Sequence, residues 1–281
     1  MLKRIISGLV CAILFAFLMI LSSYYTWVLN ISVAIITILA VAEILLLNGE
    51  LKFSALSVVS LLFAPIKAIL GNGAIWKLAM YSYILASLIF IMKQFITNRH
   101  SEKCERKSIG KTCFAFILIY ITMFALSEII KIRNFGNSKG IFYVCLAIGI
   151  AWTCDVGAYF GGMIFGKNKL CPDVSPHKTV EGAIGGTIFS FLFAILFGVI
   201  FEHFFNYREI NYFSLSFMAI LGAPIAIFGD LCFSLIKRSA NIKDFGDIIP
   251  GHGGILDRFD SIIFTIPYVY LYLRFIPIFL N

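Results

Sequence analysis

Long apolar runs separated by short polar stretches make up most of this chain. A helix needs about 20 mostly apolar residues to cross the hydrocarbon core of a bilayer. The runs predict nine such helices, at residues 5–22, 26–47, 53–71, 76–96, 112–130, 140–165, 181–202, 213–235 and 260–279. The third is the weakest, because Pro65 and Lys67 interrupt it. The first follows Lys3 and Arg4 and has no small-residue cleavage site after it, so we expect an uncleaved helix rather than a signal peptide.

The amino-acid composition indicates which class of protein has this pattern. Hydrophobic residues make up 60% of the 281 residues and charged residues only 14%, whereas soluble domains carry about 25% charged residues. One water-soluble core could not hide so much apolar surface. A soluble enzyme, a disordered chain and a disulfide-rich secreted domain are therefore excluded, and continuous runs without alternation exclude a β-barrel. We predict an all-α, polytopic integral membrane bundle of about nine transmembrane helices.

The basic residues indicate how the helices are oriented. With the N-terminus in the cytoplasm, 16 of the 23 lysines and arginines fall in inner segments and six in outer segments. Such a bias is typical of cytoplasmic loops. The basic loop at 98–111 is then cytoplasmic and faces anionic lipid headgroups. We expect a bacterial inner (cell) membrane protein with its polar site on the cytoplasmic side.

Chemistry-bearing residues are unevenly distributed along the chain. We divide it into N-terminal transmembrane helices with the basic loop, residues 1–111, and a C-terminal catalytic region, residues 112–281. Charged groups inside spans are costly and therefore candidates for function; four carboxylates qualify, Glu43, Glu128, Asp155 and Asp230. For Glu43 we favour a structural or snorkelling role, and for Glu128 an interfacial ion pair with Lys131 or Arg133. Asp155 and Asp230 each precede a polar, glycine-containing cytoplasmic loop, which favours function.

The segment before the seventh predicted helix allows two interpretations. Ser175, Lys178 and Thr179 stand where free backbone N–H groups, a lysine and hydroxyls could bind a phosphate. Alternatively, Thr179 and Glu181 form a helix cap. The glycines that follow permit either close approach of a ligand or close packing of two helices; they are Gly182, Gly185 and Gly186.

The strongest signal lies between residues 229 and 261. Asp230 and Ser234 are four apart and share a helix face, with Lys237 one turn further. Asp257 and Asp260 share a face at the start of the last helix. Carboxylates bind Mg²⁺ together with substrate phosphates, and lysine and arginine neutralise the remaining phosphate charge. The alternative is a salt-bridged amphipathic loop, but the mixture of glycine, histidine and aspartate is denser than such a loop requires.

At these residues the chain resembles the phosphatidate cytidylyltransferase (CDP-diglyceride synthase) family. The family signature is Ser-x-apolar-Lys-Arg, four residues, Lys-Asp, and then Pro-x-His-Gly-Gly-x-x-Asp-Arg-x-Asp. Residues 234–260 match it at every constrained position. Asp155 with Ala158-Tyr159, and the motif that begins at Ser175-Pro176, are also similar, so the specific match covers about 155–261.

The resemblance implies transfer of CMP from CTP to phosphatidate, giving CDP-diacylglycerol and pyrophosphate for phospholipid biosynthesis. Asp230 and Asp257 resemble the metal-binding pair, with Asp260 a further candidate. Catalytic roles are implied for Asp230, Asp257, Lys237 and Arg258. Substrate contacts are implied for Asp155, Ser175, Lys178, Thr179, Ser234, Arg238, Lys243 and His252. His252 either orients a phosphate or shapes the turn.

The resemblance also implies cofactors and partners. We expect two cations, Mg²⁺ and a second that is divalent or monovalent, besides the bilayer, the two substrates and, by analogy, a homodimer, with no nucleic acid. One rival is a related enzyme acting on another lipid, either a CTP-dependent polyprenol kinase or an ether-lipid cytidylyltransferase. A cation-coupled transporter would place its polar groups near the midplane and usually shows a repeat, and neither feature is visible here.

Overall fold

A computed structural model describes residues 2–47, 55–66, 74–97, 104–135, 139–205, 210–249, 251 and 253–279. Within them lie nine α-helices and one two-stranded sheet. In chain order these are α1 Leu2–Tyr24, α2 Thr26–Leu47, α3 Ala55–Phe63, α4 Ala74–Thr97, α5 Cys104–Asn134, α6 Gly140–Phe165, β1 Lys169–Cys171, β2 Ser175–Thr179, α7 Val180–Phe205, α8 Tyr212–Ser239 and α9 Leu256–Phe275. The all-α prediction is therefore confirmed.

Among the described residues, five helices are long and apolar enough to cross a membrane. The spans are Thr26–Leu46, Thr112–Asn134, Gly140–Phe165, Val180–Phe205 and Tyr212–Ser239. Shorter apolar stretches lie within α1 and α4, at Gly8–Tyr24 and Met80–Met92. Lipid offers no hydrogen-bond partners to the backbone, so a helix is the form in which such segments can be inserted. The protein is an integral membrane protein.

Three predicted spans differ from the helices observed. α5 begins at Cys104 rather than at 112, so residues 104–111 of the predicted basic loop are helical. α3 has nine residues and ends at Phe63, before a turn at Ala64 and Pro65, because proline lacks a backbone donor and crowds the preceding turn. At 1.5 Å per residue, α3 is about 14 Å long, half of the hydrocarbon thickness; residues 67–71 of the predicted span lie outside the described residues. α9 begins at Leu256 rather than at 260 and ends at Phe275 rather than at 279, because the acidic residues belong to its first turns.

The chain divides into two compact units. The first comprises Met1–Ile130 and Asp244–Leu256, and the second comprises Lys131–Lys243 and Asp257–Asn281. Neither unit is a continuous piece of chain. The functional boundary predicted between residues 111 and 112 stays a prediction.

In the first unit, α2 supplies much of the described core. One face of this helix is fully buried, including Val33, Val41 and Ile44. The short α3 is fixed to α4 by a hydrogen bond of 3.2 Å between the Ser60 and Tyr83 hydroxyls. A buried polar pair of this kind fixes the relative position of two helices that are otherwise apolar.

In the second unit, α6 and α7 pack through glycines. A Cβ atom on Gly186 would lie 2.7 Å from the Cys154 carbonyl oxygen, and one on Gly182 would lie 2.7 Å from that of Ala158. Small residues let two backbones approach where hydrocarbon gives no hydrophobic drive. Of the two interpretations of Gly182, Gly185 and Gly186, close helix packing is confirmed.

A β-hairpin joins α6 to α7, where the sequence had indicated only a loop. β1 and β2 are antiparallel, with Lys169 opposite Thr179 and Cys171 opposite Ser175. The strand β2 passes into α7 without an intervening residue, because Thr179 ends one and Val180 begins the other. The hairpin therefore holds Lys178 in a fixed place relative to the first turn of α7.

Candidate functional site

The hairpin is fixed at its base by the first turn of α7. The Thr179 hydroxyl accepts a hydrogen bond from the Gly182 backbone N–H at 3.0 Å, satisfying one of the donors that every helix start leaves without an internal acceptor. The Glu181 carboxylate accepts from the backbone N–H groups of Lys167 and Asn168, at 3.1 and 3.2 Å. The capping role of Thr179 is confirmed, whereas Glu181 holds the segment that leads from α6 into the hairpin.

Lys178 and Asp230 form an ion pair that joins β2 to α8. Both side chains are about three-quarters buried. The Ser234 hydroxyl donates to the other Asp230 oxygen at 3.2 Å, which confirms that these two residues share a helix face. Asp230 is thus held from two sides, by a lysine of the hairpin and by a hydroxyl one turn along its own helix.

A second lysine, Lys237, pairs with acidic residues of α9. Its Nζ donates to Asp257 Oδ1 at 2.8 Å and lies 3.9 Å from Asp260 Oδ2. Asp257 and Asp260 are only 8% and 7% exposed, so each carboxylate needs a cation or hydrogen-bond donors nearby. The approach of α8 to α9 depends on Gly229, where a Cβ would lie 3.0 Å from the Asp260 carbonyl oxygen.

Asp155 joins the same cluster from α6. Its carboxylate accepts a hydrogen bond of 3.2 Å from the Ser261 hydroxyl of α9. Asp155 and Asp230 both interact electrostatically with Asp260. The second unit therefore brings together four carboxylates and two lysines that lie far apart in the sequence.

A cleft of about 490 Å³ opens beside this cluster. Its lining includes Asp155, Tyr159, Gly162, Lys178, Thr179 and Asp230. One side is the hairpin and the others are α6, α7 and α8, and both apolar and charged side chains line the cleft. Such a mixture is typical of sites that take a ligand with one charged part and one apolar part.

The other predicted site residues that the structure describes are more exposed to solvent. Ser175 is half-buried at the start of β2, and Arg238, Lys243 and Arg258 are exposed. The Arg238 guanidinium donates to the Ile242 carbonyl oxygen at 3.4 Å. Arg258 is close enough to Asp155 to interact with it electrostatically. His252 lies outside the described residues.

The two carboxylates assigned to structural roles are both buried. Glu43 and Glu128 are each 1% exposed. The structural interpretation of Glu43 is confirmed and the snorkelling one is wrong, because its carboxylate accepts hydrogen bonds from the backbone N–H groups of Ile255 and Leu256, at 2.8 and 2.7 Å. A buried glutamate needs donors within reach, and here the segment that leads into α9 supplies them.

The donor set decides what kind of cation the site could hold. Among the described residues, no three histidine, cysteine, aspartate or glutamate side chains are arranged to hold a metal ion by themselves. Magnesium usually takes only one or two carboxylates, with water and substrate phosphates as the remaining ligands. The hard oxygen donors of Asp230 and Asp257, beside lysines that suit phosphates, fit such a cation.

Sequence reasoning missed three features of the structure. Ser261 was not assigned a role, although it lies four residues after Asp257 and hence on the same helix face. The hairpin was missed because five residues containing a proline are a weak strand signal. The partner of Glu43 was missed because it lies 212 residues further along the chain.

Comparison with known proteins agrees with this geometry. The family model described as "Cytidylyltransferase family" matches residues 2–276. A protein of Bacillus subtilis (strain 168) named phosphatidate cytidylyltransferase is 31% identical over 285 residues, covering 96% of this chain and 97% of that protein. A protein of the same name from Staphylococcus haemolyticus is 33% identical over 197 residues, covering 70% of this chain and 68% of that protein.

Proposed function

Because this chain belongs to the cytidylyltransferase family and is therefore a nucleotidyltransferase, we propose that it is a phosphatidate cytidylyltransferase. In this proposal it transfers CMP from CTP to phosphatidate and produces CDP-diacylglycerol and pyrophosphate. Proteins of that name match it at 31% and 33% identity. The product would serve phospholipid biosynthesis.

One observation in the structure carries the proposal. Two lysines, Lys178 and Lys237, are held against carboxylates of α8 and α9, and Lys178 lines a cleft whose walls are partly apolar. A triphosphate and a lipid phosphate together carry several negative charges, which lysines can neutralise. The apolar walls suit the glycerol and acyl part of a lipid that enters sideways from the bilayer.

The reaction needs positioning more than proton transfer. A phosphate monoester has a second pKa of about 6, so phosphatidate is ionised near neutral pH without a protein base. One of its oxygens forms a bond to the α-phosphorus of CTP. The bond from that phosphorus to the oxygen that bridges to the β-phosphorus breaks, and pyrophosphate leaves with the electron pair. The protein contributes orientation and charge neutralisation.

The roles of individual residues follow from where they lie. We assign Lys178 and Lys237 to phosphate charge, with Arg258 at the exposed rim of the site. Thr179 and Ser234 act mainly through the hydrogen bonds that hold the hairpin and Asp230 in place. The remaining polar contacts to substrate are assigned to Asp155, Ser175, Arg238, Lys243 and His252.

Magnesium is part of the proposal. Asp230 and Asp257 would hold it, with Asp260 as a further ligand, and a second cation would complete the site. When bound, these cations would neutralise charge on the phosphates. We further propose that the enzyme acts in the cell membrane of a bacterium, as a homodimer, with its site on the cytoplasmic side.

The direct test uses the purified chain in detergent micelles with CTP, Mg²⁺ and phosphatidate. We expect pyrophosphate release and CDP-diacylglycerol in equal amounts. Parallel reactions replace phosphatidate by a polyprenol or by an archaeal-type ether-lipid phosphate. A preference for either of those lipids, or no product from phosphatidate, would contradict the proposal.

Asp257→Asn tests the assignment of the acidic cluster. The change preserves shape but removes the charge that pairs with Lys237, and we expect the turnover rate to fall by about two orders of magnitude. The matched control is Asp173→Asn, which removes a charge from an exposed position of the hairpin turn. Equal rates for the two variants would show that Asp257 has no part in the chemistry.

A further inference from the structure

Glu43 is a buried carboxylate within an apolar helix of the first unit. It lies near the end of α2, on a helix that is long and apolar enough to cross the membrane, and is 1% exposed. An ionised side chain in such a place costs several kcal/mol unless donors or a cation satisfy it. Its contacts therefore indicate what it is for.

The carboxylate binds the backbone of the segment that leads into α9 and includes its first residue, Leu256. Oε1 accepts from the Ile255 N–H at 2.8 Å, and Oε2 accepts from the Leu256 N–H at 2.7 Å. The first N–H groups of a helix have no acceptor within that helix, and the helix dipole favours negative charge there. A carboxylate with one oxygen on each of two successive N–H groups supplies the missing acceptors and also places a negative charge at the helix start.

The segment also encloses the carboxylate closely. A Cβ on Gly254 would lie 2.6 Å from both carboxylate oxygens, and one on Gly246 would lie 2.9 Å from Oε1. Gly253 has a φ of 79°, which side chains other than glycine rarely adopt. The Ile249 N–H donates to the Gly253 carbonyl oxygen at 2.9 Å, closing the turn. The Glu43 carboxylate is thus enclosed by Gly246, Gly254 and the backbone N–H groups of Ile255 and Leu256.

We propose that Glu43 is a positioning residue for the cytidylyltransferase reaction. By binding the Ile255 and Leu256 N–H groups, it fixes the backbone from which Asp257, the next residue, projects its carboxylate. The inference rests on the proposed function, because it assigns Glu43 an effect on the reaction through Asp257. In this proposal Glu43 acts through the backbone and is assigned no direct contact with substrate or cation.

Glu43→Gln is the sharpest test, because it keeps the shape but leaves only one acceptor oxygen. One backbone N–H then faces an amide that is itself a donor. We expect amide hydrogen exchange at Ile255 and Leu256, measured on the full chain without nucleotide or cation, to become about tenfold faster or more. We expect kcat to fall about tenfold to a hundredfold and the half-saturating Mg²⁺ concentration to rise about tenfold. The KM for phosphatidate should not change.

The control is Glu128→Gln, which makes the same substitution at an equally buried glutamate of the first unit. We expect its exchange at Ile255 and Leu256, its kcat and its Mg²⁺ dependence to equal those of the unmodified protein. If Glu43→Gln also keeps its kcat and Mg²⁺ dependence, the positioning role is overturned. That result leaves the proposed function intact, whereas failure of the unmodified protein to form CDP-diacylglycerol would remove the proposed function itself.

A second variant covers the case in which Glu43→Gln does not fold. Glu43→Asp keeps both acceptor oxygens but withdraws them by one methylene, about 1.5 Å, so both N–H groups cannot be reached at normal hydrogen-bond length. We expect a smaller fall in kcat and a smaller rise in the half-saturating Mg²⁺ concentration than for glutamine. Full activity of Glu43→Asp with an unaltered Mg²⁺ dependence would equally overturn the proposal.

Discussion

Thr179 is the last residue of β2 and also the residue immediately before α7. Its hydroxyl accepts from the Gly182 N–H, and Cβ atoms on Gly162 and Gly166 would each lie 3.0 Å from that hydroxyl oxygen. The oxygen is therefore already surrounded by backbone. At the scale of a single residue, this enclosure favours a structural role over a direct contact with phosphate.

We expect Thr179→Val to destabilise the protein by about 1 kcal/mol, the usual cost of removing a helix cap. In a chain of this size, such a loss lowers the unfolding temperature by roughly 2–4 °C. The unfolding temperature is measured in detergent beside Thr179→Ser, which keeps the hydroxyl and should match the unmodified protein. An unchanged unfolding temperature with a raised KM for CTP would mean that the hydroxyl binds phosphate instead.

The residues of the site differ in how far the sequence could reveal them. Asp230 and Ser234 were identified as neighbours because helix geometry relates positions four apart. The pairing of Lys178 with Asp230, and that of Asp155 with Ser261 across 106 positions, depend on how helices pack. No regular spacing relates such positions. The sequence could therefore identify these residues as candidates, but it could not predict which of them contact each other.

Among the elements, α6 and α7 show how a membrane protein uses glycine. Their backbones approach at Gly182 and Gly186 so closely that an added methyl group meets a carbonyl oxygen of the other helix. Further along α7, a Cβ on Gly198 would lie 2.8 Å from the end of the Leu215 side chain. A backbone atom cannot move without shifting its helix, whereas a leucine can change rotamer.

Gly186→Ala should therefore destabilise the protein by about 1–3 kcal/mol through overpacking, although alanine is the better helix former by about 1 kcal/mol. Gly198→Ala is the matched control in the same helix and should cost much less. Unfolding temperatures in detergent measure both. Equal losses in the two variants would show that intrinsic helix preference, rather than contact between α6 and α7, dominates at these positions.

The elements themselves were predictable to different degrees. Continuous apolar runs gave α2, α6, α7 and α8 nearly at their observed bounds, because a lipid-exposed backbone has few alternatives to a helix. Pro65 indicated that the third predicted span would be interrupted, and α3 ends two residues before it. The hairpin could not be predicted, since β1 has three residues and its stability comes from pairing with β2 and from the hydrogen bonds of Glu181.

At the scale of the whole molecule, the described apolar spans carry few charges. Three of them, Asp155 of α6 and Asp230 and Lys237 of α8, belong to the cluster, which Lys178 of β2 and two aspartates of α9 complete. A lipid substrate requires this arrangement, because its acyl chains stay in hydrocarbon while its phosphate meets a water-soluble nucleotide.

The charge bias predicts which side of the membrane each loop faces. Alkaline phosphatase, which is active only outside the cytoplasm, can be inserted at residues 98–103 or at residues 206–209. We expect an inactive reporter at the first position and an active one at the second, because 16 of the 23 basic residues fall in segments assigned to the cytoplasm. Activity at 98–103 would reverse the orientation and place the site outside.

The hydrogen bonds of Glu43 also constrain the order in which the protein can be synthesised and folded. Its two donors at Ile255 and Leu256 are synthesised 212 and 213 residues later. At a translation rate of about 5–20 residues per second, α2 is made roughly 10–40 seconds before they exist. Glu43 is therefore synthesised well before these partners exist. The first unit can be completed only late, because its residues 244–256 are made after residues 131–243 of the second unit.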